Sequence, residues 1–234
     1  MNGAKLRERL TAGHCVSMYN THHVSTSYAG RLIELGADSV FVDCEHGTWS
    51  FEDVRATAQI VRGAGGAAIV RPHSHERPTM IRYLNAGADG LMVPMVETGE
   101  QARAIVDAVR YSLPADHHKR LVVAMIETRN AIARIDEILA VDGIDVIFIG
   151  PGDLSQDMGY LPAPPFGEPR PQPVMDKVAE AVDKIRATGK IAGTLATVDE
   201  LPHWKAKGVQ FFYIHTDPFL RRGISGVREI LTED

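Results

Sequence analysis

Eight short apolar segments recur along the chain, and stretches with helical periodicity lie between them. Apolar segments without polar alternation are typical of parallel strands that helices cover on both faces. Eight such units favour closure into a (β/α)8 TIM barrel over an open sheet. The predicted strands are 14–19, 39–45, 67–72, 90–96, 121–127, 146–151, 191–196 and 211–216, and the helical patterns include 51–63, 98–110, 129–141 and 174–188.

Glycine separates a helical stretch from the next strand at Gly36, Gly65, Gly87, Gly143, Gly189 and Gly208. Because glycine accepts the left-handed backbone that ends a helix, these positions indicate short helix-to-strand turns. The length of 234 residues is close to the ~250 typical of this barrel, and we expect one domain over 1–234. The proline-rich segment 161–173 is interpreted as a loop on the catalytic face rather than as a linker.

Composition excludes several classes of protein. The net charge is −5 without a basic run, which argues against a nucleic-acid partner. No apolar stretch approaches the ~20 residues of a membrane helix, and the N-terminus lacks the apolar core of a secretory signal. The two cysteines, Cys15 and Cys44, lie in predicted strands and are interpreted as packing residues. We therefore expect no disulfide and a cytoplasmic location.

Two carboxylates follow neighbouring predicted strands, at the end of a barrel where active sites lie. Glu127 ends the fifth strand and Asp153 follows the sixth. Two such oxygen ligands leave about four octahedral positions of a hard divalent cation open for water and a chelating 2-oxo acid. The alternatives are a helix N-cap for Asp153 and a salt bridge for Glu127.

A second polar group follows the second and third strands. Asp43 and Glu45 share one face of their strand, because side chains alternate along a strand. Arg71 could stabilise a developing enolate, or pair with either carboxylate, or do both. His46 is a candidate general base whose ring a carboxylate orients, and Asp43 is the nearest candidate.

The other histidines are less informative. His73 and His75 share a strand-like face and form an alternative site for a softer metal. The histidine pairs at 22–23 and 117–118 are predicted to lie in loops at opposite ends of the barrel or on the surface. No lysine stands at a predicted strand end, which argues against a Schiff-base mechanism.

Taken together, five segments of this sequence resemble the class II pyruvate aldolases of the HpcH/HpaI type. The matching segments span nearly the whole barrel, and their combination is specific although no single one is. They are VDCEHGTWS (42–50), VRP (70–72), LMVPMVET (91–98), AMIETRNAI (124–132) and IFIGPGDLSQDMGY (147–160).

The resemblance implies roles for individual residues. Glu127 and Asp153 would hold a Mg, Mn or Co ion. Arg71 would hold the pyruvyl keto oxygen and the enolate, and His46 with Asp43 would form the acid–base pair. The backbone amides around Gly152 and Asp153 would bind the pyruvate carboxylate. The family also implies a homo-oligomer, a hexamer or a trimer, in which the last helix, about 218–234 here, is exchanged between subunits.

Three positions depart from the family pattern. Met125 stands where a glutamine is common, two residues before the metal-binding glutamate. Asn85 stands where a carboxylate of a neighbouring subunit can support the catalytic histidine. The segment 111–120 is shorter than the loop that helps to shape the aldehyde pocket in relatives. The resemblance therefore implies that the part of the active site that binds the metal and pyruvate is intact. It also implies that the part that binds the aldehyde acceptor is altered.

The function expected from the sequence is the metal-dependent joining or cleavage of pyruvate and an aldehyde, with a 4-hydroxy-2-oxo acid as the cleaved compound. One alternative is other enolate chemistry on the same scaffold, such as decarboxylation of an oxo acid or cleavage of an acyl-CoA thioester. Another is a non-catalytic protein that binds a 2-oxo acid. Fold alone does not separate these functions.

Overall fold

The eight predicted strands form a closed parallel barrel in which each strand pairs with its neighbours in chain order and the eighth pairs with the first. The structure is a computed structural model that describes residues 2–161 and 170–232. The strands are Val16–Asn20 (β1), Ser39–Asp43 (β2), Ala67–Arg71 (β3), Gly90–Val93 (β4), Leu121–Ile126 (β5), Val146–Ile149 (β6), Ile191–Leu195 (β7) and Phe211–His215 (β8). The predicted TIM barrel is confirmed.

One helix precedes the first strand, and one or two helices follow each strand. They are Gly3–Thr11 (α1), Thr26–Glu34 (α2), Phe51–Gly63 (α3), Arg77–Ala86 (α4), Gly99–Ser112 (α5), Arg129–Ala133 (α6), Ile135–Leu139 (α7), Pro151–Asp157 (α8), Gln172–Ala187 (α9), Leu201–Ala206 (α10) and Asp217–Thr232 (α11). The single helix expected over 129–141 is instead two short helices, because Arg134 leaves the helical conformation at φ −105° and ψ 14°. All six glycines predicted to end helices have positive φ, between 77° and 110°.

Several strands end earlier than the apolar pattern predicts. β2 stops at Asp43, where the N–H of Gly47 donates to the Asp43 carbonyl and closes a turn. β5 stops at Ile126, one residue before Glu127. Glu45 and Glu127 therefore lie in the loops above the barrel, where their side chains are free of the alternation along a strand, whereas Asp43 and Arg71 are the last residues of their strands.

The core has two main layers. One fills the barrel and includes Met18, Phe41 and Ile69, and the other packs between the strands and the outer helices. Leu6 and Leu10 of α1 belong to the inner layer, so α1 closes the amino-terminal end of the barrel. At the opposite end, where the candidate residues lie, the described residues leave a cavity.

Both cysteines are free thiols, and Cys44 is buried in the outer layer as expected of a packing residue. Of the proline-rich segment 161–173, residues 162–169 lie outside the described residues, and α9 begins at Gln172. None of the helices in the described part of the chain has the length and apolar character that a membrane crossing requires.

Candidate active site

A cavity of about 540 Å³ opens at the carboxyl ends of the strands. Its volume lies within the ~300–1,000 Å³ of small-molecule sites. Large side chains that point into the barrel line it from below: Phe41, Met92, Met125, Phe148 and Tyr213. The strand-end residues predicted from the sequence line it too, namely Asp43, His46, Arg71, Glu127, Gly152 and Asp153. The structure therefore brings all six to one cavity.

Arg71, the last residue of β3, is paired with two carboxylates from the end of β2. Its Nε and Nη2 atoms donate to Asp43 at 2.8 and 2.6 Å, and its Nη1 atom lies 3.0 Å from Glu45 Oε2. Burial opposes the charge on Asp43, but the hydrogen bonds and charge of Arg71 outweigh it and hold the pKa of Asp43 below its ordinary value. The guanidinium is thus fixed and charged at the cavity wall.

His46 lies at the rim, with its side chain 67% exposed. Its ring Nε2 is 3.9 Å from Glu45 Oε2, so Glu45 rather than Asp43 is the carboxylate beside the ring. Asp43 accepts a hydrogen bond from the backbone N–H of His46, at 3.3 Å, and not from the ring. Because Arg71 occupies both oxygens of Asp43, the orienting contact expected between Asp43 and the ring of His46 is not formed in this structure.

Glu127 has the most unusual environment of the cavity residues. It is 1% exposed, its Oε1 accepts from the Met95 N–H at 2.8 Å, and its Oε2 has no hydrogen-bond partner among the residues that the structure describes. A Cβ on Gly150 would lie 2.5 Å from Oε2, so only glycine leaves room for this carboxylate. Burial and the neighbouring charge of Asp153 raise the pKa of Glu127 to about 8. A buried carboxylate with an unpartnered oxygen is costly to ionise.

Asp153 approaches the same region from α8. It is the third residue of that helix, and Gly150 occupies the N-cap, so the alternative role of Asp153 as a helix N-cap is not observed. Its Oδ1 accepts from Gln156 at 3.3 Å. Gly152 faces open space. Within 2–161 and 170–232, no group of three or more His, Cys, Asp or Glu side chains is placed to hold a metal ion, so a cation here has two carboxylates as its candidate protein ligands.

Sequence reasoning missed the wall of the cavity formed by β1 and β8. Asn20, His22 and Tyr213 line it, so His22 is not an ordinary surface residue. The Nε2 atom of His22 is 2.5 Å from Nδ1 of His215, and burial lowers the pKa of His215 to about 3. The predicted first strand stopped one residue short of Asn20, and Tyr213 was hidden within an apolar strand. A polar residue ending β1 was the available signal.

The departures from the family pattern occupy different places. Met125 is buried beneath the cavity, and Asn85 is exposed on α4, outside the cavity lining. The segment 111–120 packs against α1 at the closed end of the barrel, where Arg7 donates to the carbonyls of His118 and Arg120. His117 and His118 therefore lie at the end of the barrel opposite the cavity, because they precede β5 rather than follow a strand.

His73 and His75, the alternative metal site considered from the sequence, do not line the cavity. Nδ1 of His73 is 2.9 Å from the hydroxyl of Tyr83, and no metal-holding cluster includes either histidine among the described residues.

Comparison with known proteins agrees with the fold and shows the family. Residues 21–213 match the model of the HpcH/HpaI aldolase/citrate lyase family. The hydroxypyruvate/pyruvate aldolase of Roseovarius nubinhibens is 30% identical over 210 residues, covering 80% of each chain. The 4-hydroxy-2-oxovalerate aldolase of Novosphingobium aromaticivorans is 36% identical over 188 residues, covering 71% of this chain and 70% of the relative.

A solved structure shares the fold at lower identity. A family protein from Burkholderia cenocepacia J2315 superposes with a TM-score of 0.87 and 22% identity, covering 98% of this chain and 100% of that one. The chain belongs to the HpcH/HpaI aldolase/citrate lyase family, and it is an enzyme, a carbon–carbon lyase. The non-catalytic alternative is thereby set aside.

Proposed function

We propose that the chain is a class II pyruvate aldolase, which cleaves a 4-hydroxy-2-oxo acid into pyruvate and an aldehyde with the help of a divalent cation. The observation that carries this proposal is the carboxylate of Glu127, which is buried beside Asp153 with one oxygen unpartnered among the described residues. The names of the two aldolase relatives support the same substrate class.

The residues present fit a cation such as Mg, Mn or Co. Glu127 and Asp153 supply two hard oxygen ligands, and a cation would offset the cost of ionising the buried Glu127. Gly150 keeps the space beside the free oxygen clear. When bound, the cation would act as a Lewis acid that favours the enolate over the keto form.

Other side chains would bind the substrate and move its proton. Arg71, held by Asp43, donates to the keto oxygen as it gains enolate charge, where a fixed donor has its largest effect. His46 at the exposed rim accepts the proton of the C4 hydroxyl and exchanges it with solvent. The backbone N–H groups of Gly152 and Asp153 donate to the carboxylate.

The direct test is cleavage of a panel of 4-hydroxy-2-oxo acids by enzyme freed of metal with a chelator. Released pyruvate is measured through its reduction by lactate dehydrogenase. We expect pyruvate only after Mg, Mn or Co is added. Equal release by the chelated enzyme, or no release from any member of the panel with any of the three ions, would contradict the proposal.

We also propose that the enzyme is a homo-oligomer, a hexamer or a trimer, in which α11 packs against a neighbouring subunit. Leu220, Ile224, Val227 and Leu231 recur at helical spacing along α11 and are 53–75% exposed. No residue of α11 is buried against the described part of this chain. An apolar stripe of this length is typical of a surface that a partner covers. We expect this assembly in the cytoplasm, where both thiols stay reduced.

Replacing Ile224 by arginine is expected to dissociate the oligomer, because a charge would be buried within the apolar stripe. The molar mass from light scattering coupled to gel filtration would fall toward the 25.6 kDa of one chain. Arg222→Ala, on the opposite side of α11, should leave the mass unchanged. A wild-type protein that is monomeric at micromolar concentration would contradict this assignment of α11.

A further inference from the structure

The wall formed by β1 and β8 carries a hydrogen-bonded chain whose direction is fixed. The N–H of His22 donates to Oδ1 of Asn20 at 2.8 Å, and Nδ2 of Asn20 donates to the hydroxyl of Tyr213 at 2.6 Å. A backbone N–H can only donate, so the oxygen of the Asn20 amide must face His22. The amide nitrogen therefore faces Tyr213, and the tyrosine oxygen is an acceptor in this bond.

The proton of the Tyr213 hydroxyl is consequently available for another acceptor. Among the residues that the structure describes, none accepts a hydrogen bond from Tyr213, although the residue is 8% exposed and lines the cavity. A buried donor without an acceptor costs free energy unless a ligand or water supplies one. The hydroxyl can therefore donate a hydrogen bond to an oxygen atom of a ligand in the cavity.

The surrounding groups hold this donor in place. The Tyr213 ring meets the edges of Phe41 and His215 at 89°, with centroids 4.9 and 4.7 Å away. His22 has a φ of 55°, an uncommon value for a residue other than glycine, and this conformation points its N–H at Asn20. Burial raises the pKa of Tyr213, so the hydroxyl keeps its proton at neutral pH.

The position of this donor within the barrel identifies the part of the substrate that it meets. In a closed barrel of eight strands numbered in order, β1 lies four strands from β5, so Asn20 stands across the cavity from Glu127. Glu127, Asp153 and Arg71 account for the keto acid end of the substrate in the proposed function. The wall formed by β1 and β8 is left for the acceptor end.

We propose that the Tyr213 hydroxyl donates a hydrogen bond to the C4 oxygen of the substrate, which is a hydroxyl in the 4-hydroxy-2-oxo acid and the carbonyl oxygen of the released aldehyde. Asn20 is its positioning residue. In cleavage, the base removes the C4 hydroxyl proton, the C3–C4 bond breaks, and its electron pair enters the pyruvate enolate. Tyr213 stays protonated and stabilises the negative charge on the C4 oxygen after the proton has left and before the C3–C4 bond has broken. This inference rests on the proposed function.

The test separates the two halves of the reaction. Exchange of the pyruvate C3 protons with heavy water requires only the part of the active site that binds the keto acid. Cleavage also requires the part that binds the aldehyde. Tyr213→Phe removes one hydroxyl and keeps the ring. We expect kcat for cleavage to fall by about 10²-fold, in the range seen when one oxyanion donor is removed. Pyruvate exchange, its KM and the Tm should stay at wild-type values.

A second variant tests the direction of the hydrogen bonds with the tyrosine intact. Asn20→Asp replaces the amide donor by a carboxylate, which accepts from both the His22 N–H and the Tyr213 hydroxyl and so removes the proton from the cavity. We expect a loss of cleavage similar to that of Tyr213→Phe, again with pyruvate exchange retained. Tyr19→Phe is the matched control, because Tyr19 packs on the outer face of β1 and lies outside the cavity lining.

Two results would overturn the inference. One is wild-type cleavage by Tyr213→Phe, and the other is an equal fall in exchange and cleavage, which would assign Tyr213 to the keto acid half or to the fold. Failure of the proposed function is recognised separately, because wild-type enzyme would then show no metal-dependent exchange of pyruvate at all, and the inference would fall with it.

Discussion

Glu127→Gln is expected to abolish aldol cleavage and to weaken Mn binding by at least about 100-fold. Loss of a residue that merely orients a ligand costs 10–100-fold in metal affinity, and loss of the ligand's own charge should cost no less. Glutamine keeps the shape of the side chain and its contact with the Met95 N–H, so the effect reports the charge. Isothermal titration with Mn and the pyruvate release assay measure the two losses.

The stability of the metal-free variant provides an internal check. Because burial raises the pKa of Glu127 to about 8, its ionised form is costly in the absence of a cation. The Tm of metal-free Glu127→Gln should therefore equal or exceed that of the metal-free wild type. Glu52→Gln, at an exposed position in the first turn of α3, is the matched control. A Glu127→Gln enzyme with wild-type Mn affinity would exclude Glu127 as a ligand.

Arg71→Met is expected to abolish cleavage and also to lower the free energy of unfolding by about 3–5 kcal/mol, the usual cost of removing one partner of a buried ion pair. The side chain of Arg71 is 9% exposed, and its loss would leave Asp43 and Glu45 without their shared cation. Urea denaturation at pH 7 measures the stability. Arg129→Met, which breaks the exposed pair with Asp157, should change the stability by no more than about 0.5 kcal/mol.

The pH dependence of this difference has a defined sign. Arg71 holds the pKa of Asp43 below its ordinary value, so the pair stabilises the fold above the ordinary carboxyl pKa of about 3.9. This stabilisation is lost as the pH falls through the pKa of Asp43 in the folded state. The difference in the free energy of unfolding between wild type and Arg71→Met should therefore become smaller below about pH 4. Equal stability of the two proteins at pH 7 would contradict the buried pairing.

The local signals in the sequence were sufficient for the barrel and for one half of the site. Apolar strands and the glycines that end helices indicate eight repeating units, and barrel closure brings their carboxyl ends together. Charged residues at or shortly after the ends of the strands are then brought to the same end of the barrel. This reasoning correctly placed Arg71, Glu127 and Asp153, whose positions depend on chain order alone.

The remaining features depend on contacts between distant segments. Tyr213 belongs to an apolar strand, and only the pairing of β8 with β1 brings its hydroxyl to Asn20, 193 residues away in sequence. Asp43 likewise pairs with Arg71 rather than with the ring of His46, because Arg71 binds both oxygens of the Asp43 carboxylate. The spacing of these residues in the sequence does not reveal this competition. The segment 111–120 precedes a strand rather than following one, and this order places it at the closed end.

The central claim is that the cavity generates a pyruvate enolate with the help of a divalent cation. Its most direct measurement is the exchange of pyruvate C3 protons in heavy water, followed by NMR with chelated enzyme and then with added Mg, Mn or Co. We predict exchange that depends on the added ion and disappears in Glu127→Gln. Folded enzyme that binds pyruvate but shows no exchange with any of these ions would contradict the claim.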